Sequence, residues 1–398
     1  MNNNNTTYKD SPLGKIPDDW EIMEFGKFAE TKKRKYIPVE NENLRCLELE
    51  HFEQGTGHIL GWINSSVQKS TKNKFVKGEV LFGKLRPYLQ KFWLAEYDGV
   101  CSSEVWVLNS KNNNCSNEFL FRLVQSNQFI QVANVSSGSK MPRADWDYVS
   151  TFPFPLPPLP EQKAIAHVLG LMDEAINQNN SLIAKKELQK KWLMQNLLTG
   201  RNRLKGFSNE WKEYRLGQIT TNFSRRNKEL IDAKVYSVTN TNGFVLQSEY
   251  FEGKVSGEDL SNYKIIKKHE FAYNPARINV GSLAYFEMEI GVISSLYVCF
   301  KTKEQILDYY LHQFLQIDHT KYRIETLGEG GVRVYLWYDL FSKIKIKLPP
   351  LEEQIAIAKA LQAADKEIQL LKTKTERLRE QKKGLMQVLL TGKKRLRI

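Results

Sequence analysis

The sequence predicts an α+β protein in which two mixed α/β domains alternate with two long helices. Three observations support this prediction. Blocks of the second half repeat blocks of the first half, each repeated region carries the 4-3 spacing of a coiled-coil helix, and the regions before the repeats alternate short β-rich runs with turn residues. The length of 398 residues suits about two or three domains of ordinary size.

The internal repeat defines the organisation of the chain. LPPLPEQKAIA, which begins at Leu156, and LPPLEEQIAIA, which begins at Leu348, agree at 9 of 11 positions. LMQNLLTGRNRL, which begins at Leu193, and LMQVLLTGKKRL, which begins at Leu385, agree at 9 of 12 positions. Both pairs are separated by 192 residues, so neither copy has an insertion between its two ends. The regions before each copy share far less, which indicates that they diverged while the helical parts stayed alike.

Each repeated region is predicted to form one long helix. A pair of prolines precedes each copy, and acidic residues follow in the first turn, both of which are helix start signals. No proline interrupts residues 161–199, and each copy contains one glycine, Gly170 in the first and Gly384 in the second. Gly200 and Gly392 stand where a left-handed residue would end a helix. The residues expected to pair the two helices are Ile165, Leu169, Ile176, Leu193 and Leu197 in the first and Ile357, Leu361, Ile368, Leu385 and Leu389 in the second.

Pairing of the two helices with each other is the favoured interpretation of this spacing. A 4-3 alternation sustained over more than about four heptads is typical of a coiled-coil seam. The alternative is two independent amphipathic helices, each packed on its own domain, because Lys186 and Lys190 place polar side chains on the seam.

The regions before the helices are predicted to mix strands and helices. Trp20 and Trp211 mark corresponding places in the two halves, 191 residues apart. Runs rich in β-branched and aromatic residues predict strands at residues 79–85, 103–109, 244–247 and 294–300. Helices are predicted at residues 117–131 and 303–317.

The excess of basic charge is concentrated in the helical parts. The chain carries 58 basic and 45 acidic residues, a net charge of +13. Residues 161–205 and 348–398 contribute +4 and +6 of this charge. A polyanion bound by the α/β regions would therefore be held by local clusters. These clusters are Lys32, Lys33, Arg34 and Lys35 in the first half and Arg225, Arg226 and Lys228 in the second. The alternative for each cluster is an ordinary solvated surface.

No pattern in the sequence points with specificity to a catalytic centre. Residues 78–85 nearly match a phosphate-binding loop, but Leu85 replaces the serine or threonine that must reach magnesium. The six histidines show no metal-ligand spacing, so no metal site is predicted. The four cysteines are scattered, which fits a reducing, cytoplasmic location. No apolar run has the length of a membrane helix.

Two divergent domains that alternate with two nearly identical helices, bounded by LPPLPEQ or LPPLEEQ and by LLTG, resemble the specificity (S) subunit of type I restriction–modification enzymes. The resemblance covers essentially the whole chain. It implies that the divergent domains are target-recognition domains, each of which binds one half of a split, asymmetric sequence of double-stranded DNA. It also implies that the helices pair as an antiparallel coiled coil between the two domains.

The resemblance divides the chain into target-recognition domain 1 (residues 1–155), conserved helical spacer 1 (156–205), target-recognition domain 2 (206–347) and conserved helical spacer 2 (348–398). It implies a non-catalytic subunit that docks two methyltransferase (modification) subunits and then restriction (motor-nuclease) subunits. The chain itself is expected to bind no cofactor, because S-adenosylmethionine, ATP and magnesium would belong to the partner subunits. The alternatives are a coiled-coil scaffold that presents two protein-binding domains, and a self-contained nuclease.

The resemblance does not assign base-contacting residues, because recognition domains differ within the family. Two loops shortly before the helices therefore join the basic clusters as candidates. They supply Ser139, Lys140 and the following Arg143 in the first half, and Gly330 and Arg333 in the second. Glycine lets a backbone approach a phosphate closely, and an arginine can donate two hydrogen bonds to a guanine. The alternative is an ordinary turn at the exit of each domain.

Antiparallel pairing would bring Ile165 near Leu389 and Leu197 near Ile357. We expect cysteines introduced at either pair to crosslink within one chain, because facing seam residues of paired helices lie within reach of each other. Mobility on a non-reducing gel after mild oxidation measures the crosslink. A crosslink that joins positions 165 and 357 instead would contradict the antiparallel arrangement.

Overall fold

The structure is a computed structural model that describes residues 7–135, 141–250, 259–328 and 335–396. The chain forms two compact units, one made of Met1–Asn180 with Thr373–Ile398 and the other of Ser181–Lys372. Each unit contains one α/β region and part of each of two long helices. The predicted mixture of α and β structure and the two long helices are confirmed.

The α/β region of the first unit is built from short strands and helices. Its strands are β1 (Tyr8–Lys9), β2 (Ile16–Pro17), β3 (Glu21–Glu24), β4 (Ala29–Thr31), β5 (Lys35–Tyr36), β6 (Arg45–Leu47), β7 (Ile63–Asn64), β8 (Lys72–Phe75), β9 (Val80–Gly83), β10 (Phe92–Leu94), β11 (Gly99–Ser102), β12 (Val105–Ser110) and β13 (Pro153–Leu156). Its helices are α1 (Phe25–Phe28), α2 (Asn117–Val124), α3 (Asn127–Ala133) and α4 (Trp146–Thr151), followed by the first long helix, α5 (Leu159–Leu197).

The strands of the first unit form two main sheets. One is antiparallel, with the order β10-β9-β12-β4, and the other has the order β5-β8-β11-β6-β7. In the second sheet β6 and β11 run parallel. β3, near the start of the α/β region in the sequence, pairs with β13, at its end, as a separate two-stranded sheet. This pairing places the start of α5 beside the beginning of the region.

The second unit has a corresponding set of elements. Its strands are β14 (Lys212–Arg215), β15 (Thr220–Phe223), β16 (Val235–Val238), β17 (Phe244–Leu246), β18 (Lys264–Lys267), β19 (Phe271–Tyr273), β20 (Leu283–Tyr285), β21 (Ile290–Ile293), β22 (Val298–Thr302) and β23 (Lys345–Leu348). Its helices are α6 (Leu216–Ile219), α7 (Gln247–Tyr250), α8 (Asp308–Gln316), α9 (Asp318–Thr326) and α10 (Tyr338–Phe341), followed by the second long helix, α11 (Leu351–Leu389).

The two units share one topology although their sequences have diverged. The sheets of the second unit have the orders β15-β22-β19-β20 and β17-β16-β21-β18. In the described residues each unit has one parallel strand pair, β6 with β11 and β16 with β21. The β5–β8 pairing of the first unit has a reduced counterpart, a single bridge between Arg226 and Lys264. The repeat seen in the helical blocks therefore extends through both α/β regions.

The cores of the α/β regions include the long helices. In the first unit the buried rings of Phe82 and Phe129 belong to one apolar cluster with Ile165 and Leu389. Burial of each such aliphatic side chain contributes about 2 kcal/mol of transfer free energy. Ile165 is near the start of α5 and Leu389 is the last residue of α11, so opposite ends of the two helices meet in this core.

The second unit has a core of the same kind. Buried Phe300 and Tyr310 share an apolar cluster with Leu197, the last residue of α5, and with Ile357, near the start of α11. In this unit as well, the end of one long helix and the beginning of the other pack on the same α/β region.

A buried glutamate holds these elements together in the first unit. Glu161, in the first turn of α5, is 1% exposed. It accepts a hydrogen bond from the indole N–H of Trp20 at 2.9 Å. It also accepts two hydrogen bonds from the guanidinium of Arg395, at 2.6 and 3.1 Å. One carboxylate thus joins the α/β region, the start of α5 and the segment after α11.

The second unit repeats this arrangement with different parts of the chain. Glu353, in the first turn of α11, is fully buried. It accepts a hydrogen bond from the indole N–H of Trp211 at 3.1 Å and two from Arg203, at 2.6 and 2.9 Å. Charge-assisted pairs of this geometry are stronger than neutral hydrogen bonds. The glutamate and arginine of the repeated blocks are therefore structural residues.

Glycine is required at the ends of the long helices for a conformational and a steric reason. Gly200 and Gly392 have φ of +72° and +71°, in the left-handed region. A Cβ at Gly392 would lie 2.5 Å from Cδ of Pro17, and one at Gly200 would lie 3.3 Å from the ring of Trp211. The predicted termination of both helices at these glycines is confirmed.

Some predicted elements differ in extent from the structure. The helix predicted at residues 117–131 is two helices, because the hydroxyl of Ser126 accepts the N–H of Phe129 and starts α3 as a new helix. The helix predicted at 303–317 begins only at Asp308. The N–H of Leu307 instead donates to Gln354 of α11 at 2.9 Å. In both places a side-chain hydrogen bond decides the boundary.

The buried carboxylate of Glu161 yields a stability prediction. We expect Glu161→Gln to lower the free energy of unfolding by about 2–3 kcal/mol, because the Arg395 guanidinium loses its buried counter-charge. Urea unfolding followed by tryptophan fluorescence measures the change. Glu174→Gln removes a charge from an exposed site of the same helix and should change the stability by less than about 0.5 kcal/mol. Equal effects of the two substitutions would contradict the structural role of Glu161.

Candidate nucleic-acid interface

In the first half, one arginine of the basic cluster is bound to a buried glutamate. Arg34 forms an ion pair with Glu79, whose side chain is 5% exposed. The same carboxylate accepts the N–H of Val76 at 2.9 Å, and the carbonyl of Arg34 accepts the N–H of Lys74 at 2.7 Å. Arg34 therefore connects the start of β5 to the turn that precedes β9.

The second half repeats this arrangement. Arg225 donates two hydrogen bonds to Glu270, at 3.0 and 3.3 Å. Glu270 also accepts the N–H of Lys267 at 2.7 Å, and the carbonyl of Arg225 accepts the N–H of Ile265 at 2.7 Å. The guanidinium lies over the ring of Phe223, 4.9 Å from its centroid, which adds a cation–π contact. The repeated arginine of the clusters is thus engaged inside its own unit.

The lysines of the first cluster differ in whether their side chains are free to bind a ligand. Lys32 pairs with Glu30 at 2.6 Å. Lys33 and Lys35 are exposed, and neither forms an ion pair within the described part of the chain. Two of the four predicted basic side chains can therefore meet a phosphate without first breaking an ion pair.

The second cluster presents two basic side chains from an anchored loop. Asn227 is buried, and its side-chain oxygen accepts the N–H of Ile231 at 2.9 Å. Arg226 and Lys228 on either side of it are exposed. Arg226 donates one hydrogen bond to the carbonyl of Asn262 at 3.0 Å, which leaves other guanidinium N–H groups for a ligand.

The candidates from the two loops fall partly outside the described residues. Those outside are Ser139, Lys140, Gly330 and Arg333. Arg143 is described, forms a backbone bridge with Leu85, and donates from Nε to Glu104 at 3.1 Å. Its side chain is 51% exposed, so the first loop ends in a basic residue at the surface beside the end of β9.

The pairing around Leu85 also places Arg86 at the surface, a residue that the sequence analysis did not single out. The N–H of Arg86 donates to the carbonyl of Pro142 at 2.8 Å. The N–H of Ala144 donates to the carbonyl of Lys84, also at 2.8 Å. Arg86 has φ of 52°, in the left-handed region, and is exposed. It precedes the 3-10 turn Pro87–Leu89.

Arg277 occupies the corresponding place in the second unit. It is exposed and precedes the 3-10 turn Ile278–Val280. The segment before α10 pairs with the residues just before Arg277, since the N–H of Leu336 donates to the carbonyl of Pro275 at 3.0 Å. The signal that could have found both arginines is their separation of 191 residues, the same as that of Trp20 and Trp211.

The structure places most of the predicted helix-pairing residues in the cores of the two units. In the first unit Ile165, Leu169 and Leu389 are buried in one cluster, with Leu385 packed against it. In the second unit the buried residues are Leu197, Ile357 and Leu361, with Leu193 packed against them. Ile176 and Ile368 are each 8% exposed.

Burial is the main cause of the pKa shifts of the cysteines and of His312. Burial raises the pKa of Cys46 to about 11 and those of Cys115 and Cys299 to about 12, so these thiols are protonated and poorly nucleophilic at neutral pH. Burial, together with the nearby charge of Lys190, lowers the pKa of His312 to about 4. Among the described residues no group of three or more His, Cys, Asp or Glu side chains could hold a metal ion. No helix in the described ranges is long and apolar enough to cross a membrane.

Comparison with known families decides the identity of this arrangement. The model of the type I restriction modification DNA specificity domain matches the chain twice, at residues 17–187 and 208–380. The chain belongs to the type I DNA specificity family. The resemblance drawn from the repeated blocks is confirmed, and each copy of the family domain includes one α/β region and much of the helix that follows it.

Relatives of this specificity-family chain come from bacteria and archaea. It is 31% identical over 185 residues to the type I restriction enzyme EcoDI specificity subunit of Escherichia coli, a match that covers 45% of this chain and 41% of that relative. It is 26% identical to the type I restriction enzyme MjaVIII specificity subunit of Methanocaldococcus jannaschii, over 96% of this chain and 95% of that one. The chain therefore spans less than half of the first relative and nearly all of the second.

Solved structures share the fold. A chain from work on complex assembly and conformational transition of the type I R-M system aligns with a TM-score of 0.61 and 18% identity, over 95% of this chain and 99% of that one. The HsdS subunit from Thermoanaerobacter tengcongensis aligns with a TM-score of 0.51 and 19% identity, over 96% and 100%. The S subunit from M. genitalium aligns with a TM-score of 0.56 and 16% identity, over 96% and 99%.

The ion pair between Arg34 and Glu79 yields a prediction that distinguishes a structural arginine from an exposed lysine. We expect Arg34→Ala to lower the free energy of unfolding by about 2 kcal/mol, because the buried carboxylate of Glu79 loses its charged donor. Lys33→Ala removes the same charge from the neighbouring exposed position and should leave the stability within about 0.5 kcal/mol of the parent. Urea unfolding measures both. Equal stabilities of the two variants would show that the Arg34–Glu79 pair does not support the fold.

Proposed function

We propose that this specificity-family chain is the DNA sequence-recognition subunit of a type I restriction–modification complex and that it binds a bipartite, asymmetric DNA target. The observation that carries the proposal is the presence of two α/β units with one topology and different surfaces in a single chain. Each of the target-recognition domains, at residues 1–155 and 206–347, binds one half-site. Unequal domains then require unequal half-sites, since sequence is read by the side chains that reach base edges.

The exposed basic side chains provide the electrostatic part of this binding. Lys33 and Lys35 serve the first domain, and Arg226 and Lys228 serve the second. Their positions are similar in the two domains but their surroundings differ, which suits a common contact to phosphate combined with different contacts to bases. Ser139, Lys140, Arg143, Gly330 and Arg333 remain candidate DNA contacts from the loops.

The helices, in spacers 156–205 and 348–398, form an antiparallel coiled coil in this proposal. Two contacts within the second unit support it, an ion pair of 2.8 Å between Lys186 and Glu367 and one of 2.6 Å between Lys190 and Asp365. These acidic partners lie on α11, so the lysines on the predicted seam of α5 are neutralised by the facing helix. Polar seam residues are therefore compatible with pairing of the helices.

The repeated helices also suggest the stoichiometry of the complex. Two similar helical surfaces in one chain suit two copies of one partner. We assign these surfaces to two methyltransferase (modification) subunits, with restriction (motor-nuclease) subunits joining the assembly afterwards. The chain itself is non-catalytic in this scheme, and S-adenosylmethionine, ATP and magnesium are bound by the partners. The whole assembly acts on DNA in the cytoplasm.

Methylome sequencing tests the proposed function. In cells that contain the chain and its modification subunits, we expect a methylated motif of two short, unlike half-sites separated by bases that are not read. Replacement of residues 206–347 by the corresponding domain of a relative should change one half-site and leave the other unchanged, because each domain reads its own sequence. The unmodified chain in the same cells is the control. A continuous or palindromic motif, or a change in both half-sites, would refute the proposal.

A further inference from the structure

Arg86 and Arg277 are equivalent residues in the two units. From residue 80 to residue 90 and from 271 to 281, the arginine is the one position of eleven at which the two halves agree. Equivalent backbone hydrogen bonds support the alignment. The N–H of Gly83 donates to the carbonyl of Lys91 at 2.7 Å, and the N–H of Asn274 donates to the carbonyl of Ser282 at 3.0 Å. An arginine has therefore been kept at one turn while its neighbours changed.

Several polar side chains that the two halves share have partners inside their own unit. The pairs Arg34 with Glu79 and Arg225 with Glu270 connect strands. The helix-start glutamates bind a tryptophan and an arginine. These contacts explain why the residues were retained, because loss of one partner would leave a buried charge uncompensated.

The two turn arginines lack such an explanation. Both side chains are exposed, and neither has a hydrogen-bond or ion-pair partner among the residues described in the structure. Arg86 also holds a left-handed backbone conformation, with φ of 52°, that a non-glycine residue adopts rarely. Retention of an exposed, unpaired cation in two diverged copies points to a ligand that both units share.

We infer that Arg86 and Arg277 are equivalent contacts to the DNA phosphate backbone, one in each recognition domain. The inference rests on the proposed function and deepens it. If the two domains read different bases, a residue kept in both serves the part of DNA that every half-site shares, which is the chain of phosphates. A guanidinium is suited to this contact because its planar fork matches two phosphate oxygens.

The residues beside each arginine differ, as expected for groups that would read different half-sites. In the first unit the neighbours are Tyr88, which is 51% exposed, and Arg143 on the paired segment. In the second unit the paired segment carries Trp337, which is 55% exposed and stacks on Tyr335 with ring centroids 6.1 Å apart. A shared cation thus lies beside different aromatic and basic groups in the two units.

Binding of a random-sequence DNA duplex tests the inference without knowledge of the target. The full chain, assembled with its modification subunits, is titrated by fluorescence anisotropy over a range of salt concentrations. Arg86→Ala and Arg277→Ala should each weaken binding by roughly tenfold. Each should also reduce the slope of log K against log salt by about 0.9, the value for loss of one phosphate contact.

Two controls separate this role from others. Arg86→Lys and Arg277→Lys keep the positive charge and should largely keep the salt slope. Lys27→Ala removes an exposed charge from another part of the first unit and should leave both affinity and slope unchanged. The melting temperatures of the alanine variants should equal that of the parent, in contrast to Arg34→Ala.

Other results would overturn the inference. Unchanged affinity and salt slope in both alanine variants, with a parent complex that binds DNA, would reject the phosphate contacts and leave the proposed function standing. A change in the methylated motif with unchanged affinity would reassign the arginines to base contacts. Failure of the parent complex to bind any duplex would reject the proposed function and the inference with it.

Discussion

The arrangement of each unit depends on one buried carboxylate in the first turn of a long helix. Glu161 and Glu353 are almost fully buried, and each is neutralised by an arginine from beyond the end of the other helix. A buried charge without its partner is costly. Each α/β region therefore forms its complete core only when the start of one long helix and the end of the other are both present.

This constraint explains the conserved blocks within the chain. Gln162 and Gln354, next to the glutamates, bind backbone groups of the preceding α/β region at 2.7–3.0 Å. Gly392 lies too close to Pro17 to accept a side chain. The repeated letters at both ends of the helices are thus the residues that join helix to domain, and their chemistry leaves little freedom for substitution.

In each basic cluster, one arginine stabilises the fold and neighbouring basic side chains are exposed. Arg34 and Arg225 bind buried glutamates and maintain the sheets. Lys33, Lys35 and Lys228 extend into solvent from the same segments. Adjacent residues of one cluster therefore have different roles, because only one side chain in each cluster reaches a buried carboxylate of its own unit.

The sequence by itself determined the repeat, the two long helices with their glycine ends, the mixed α/β regions and the resemblance to the specificity family. These features are local or periodic, and apolar spacing, capping residues and matched blocks carry them directly. The internal repeat also made Arg86 and Arg277 accessible to sequence comparison, since their separation is the one shown by the paired tryptophans.

Only the tertiary structure decided which charges are engaged and which are available. Arg34 and Glu79 are 45 residues apart, and Glu161 and Arg395 are 234 residues apart, so no local pattern links them. The division of residues 117–131 into two helices likewise follows from one hydroxyl of Ser126, whose capping competes with helix continuation. Pairing across long separations depends on where the backbone brings two side chains, and that is a property of the packed fold.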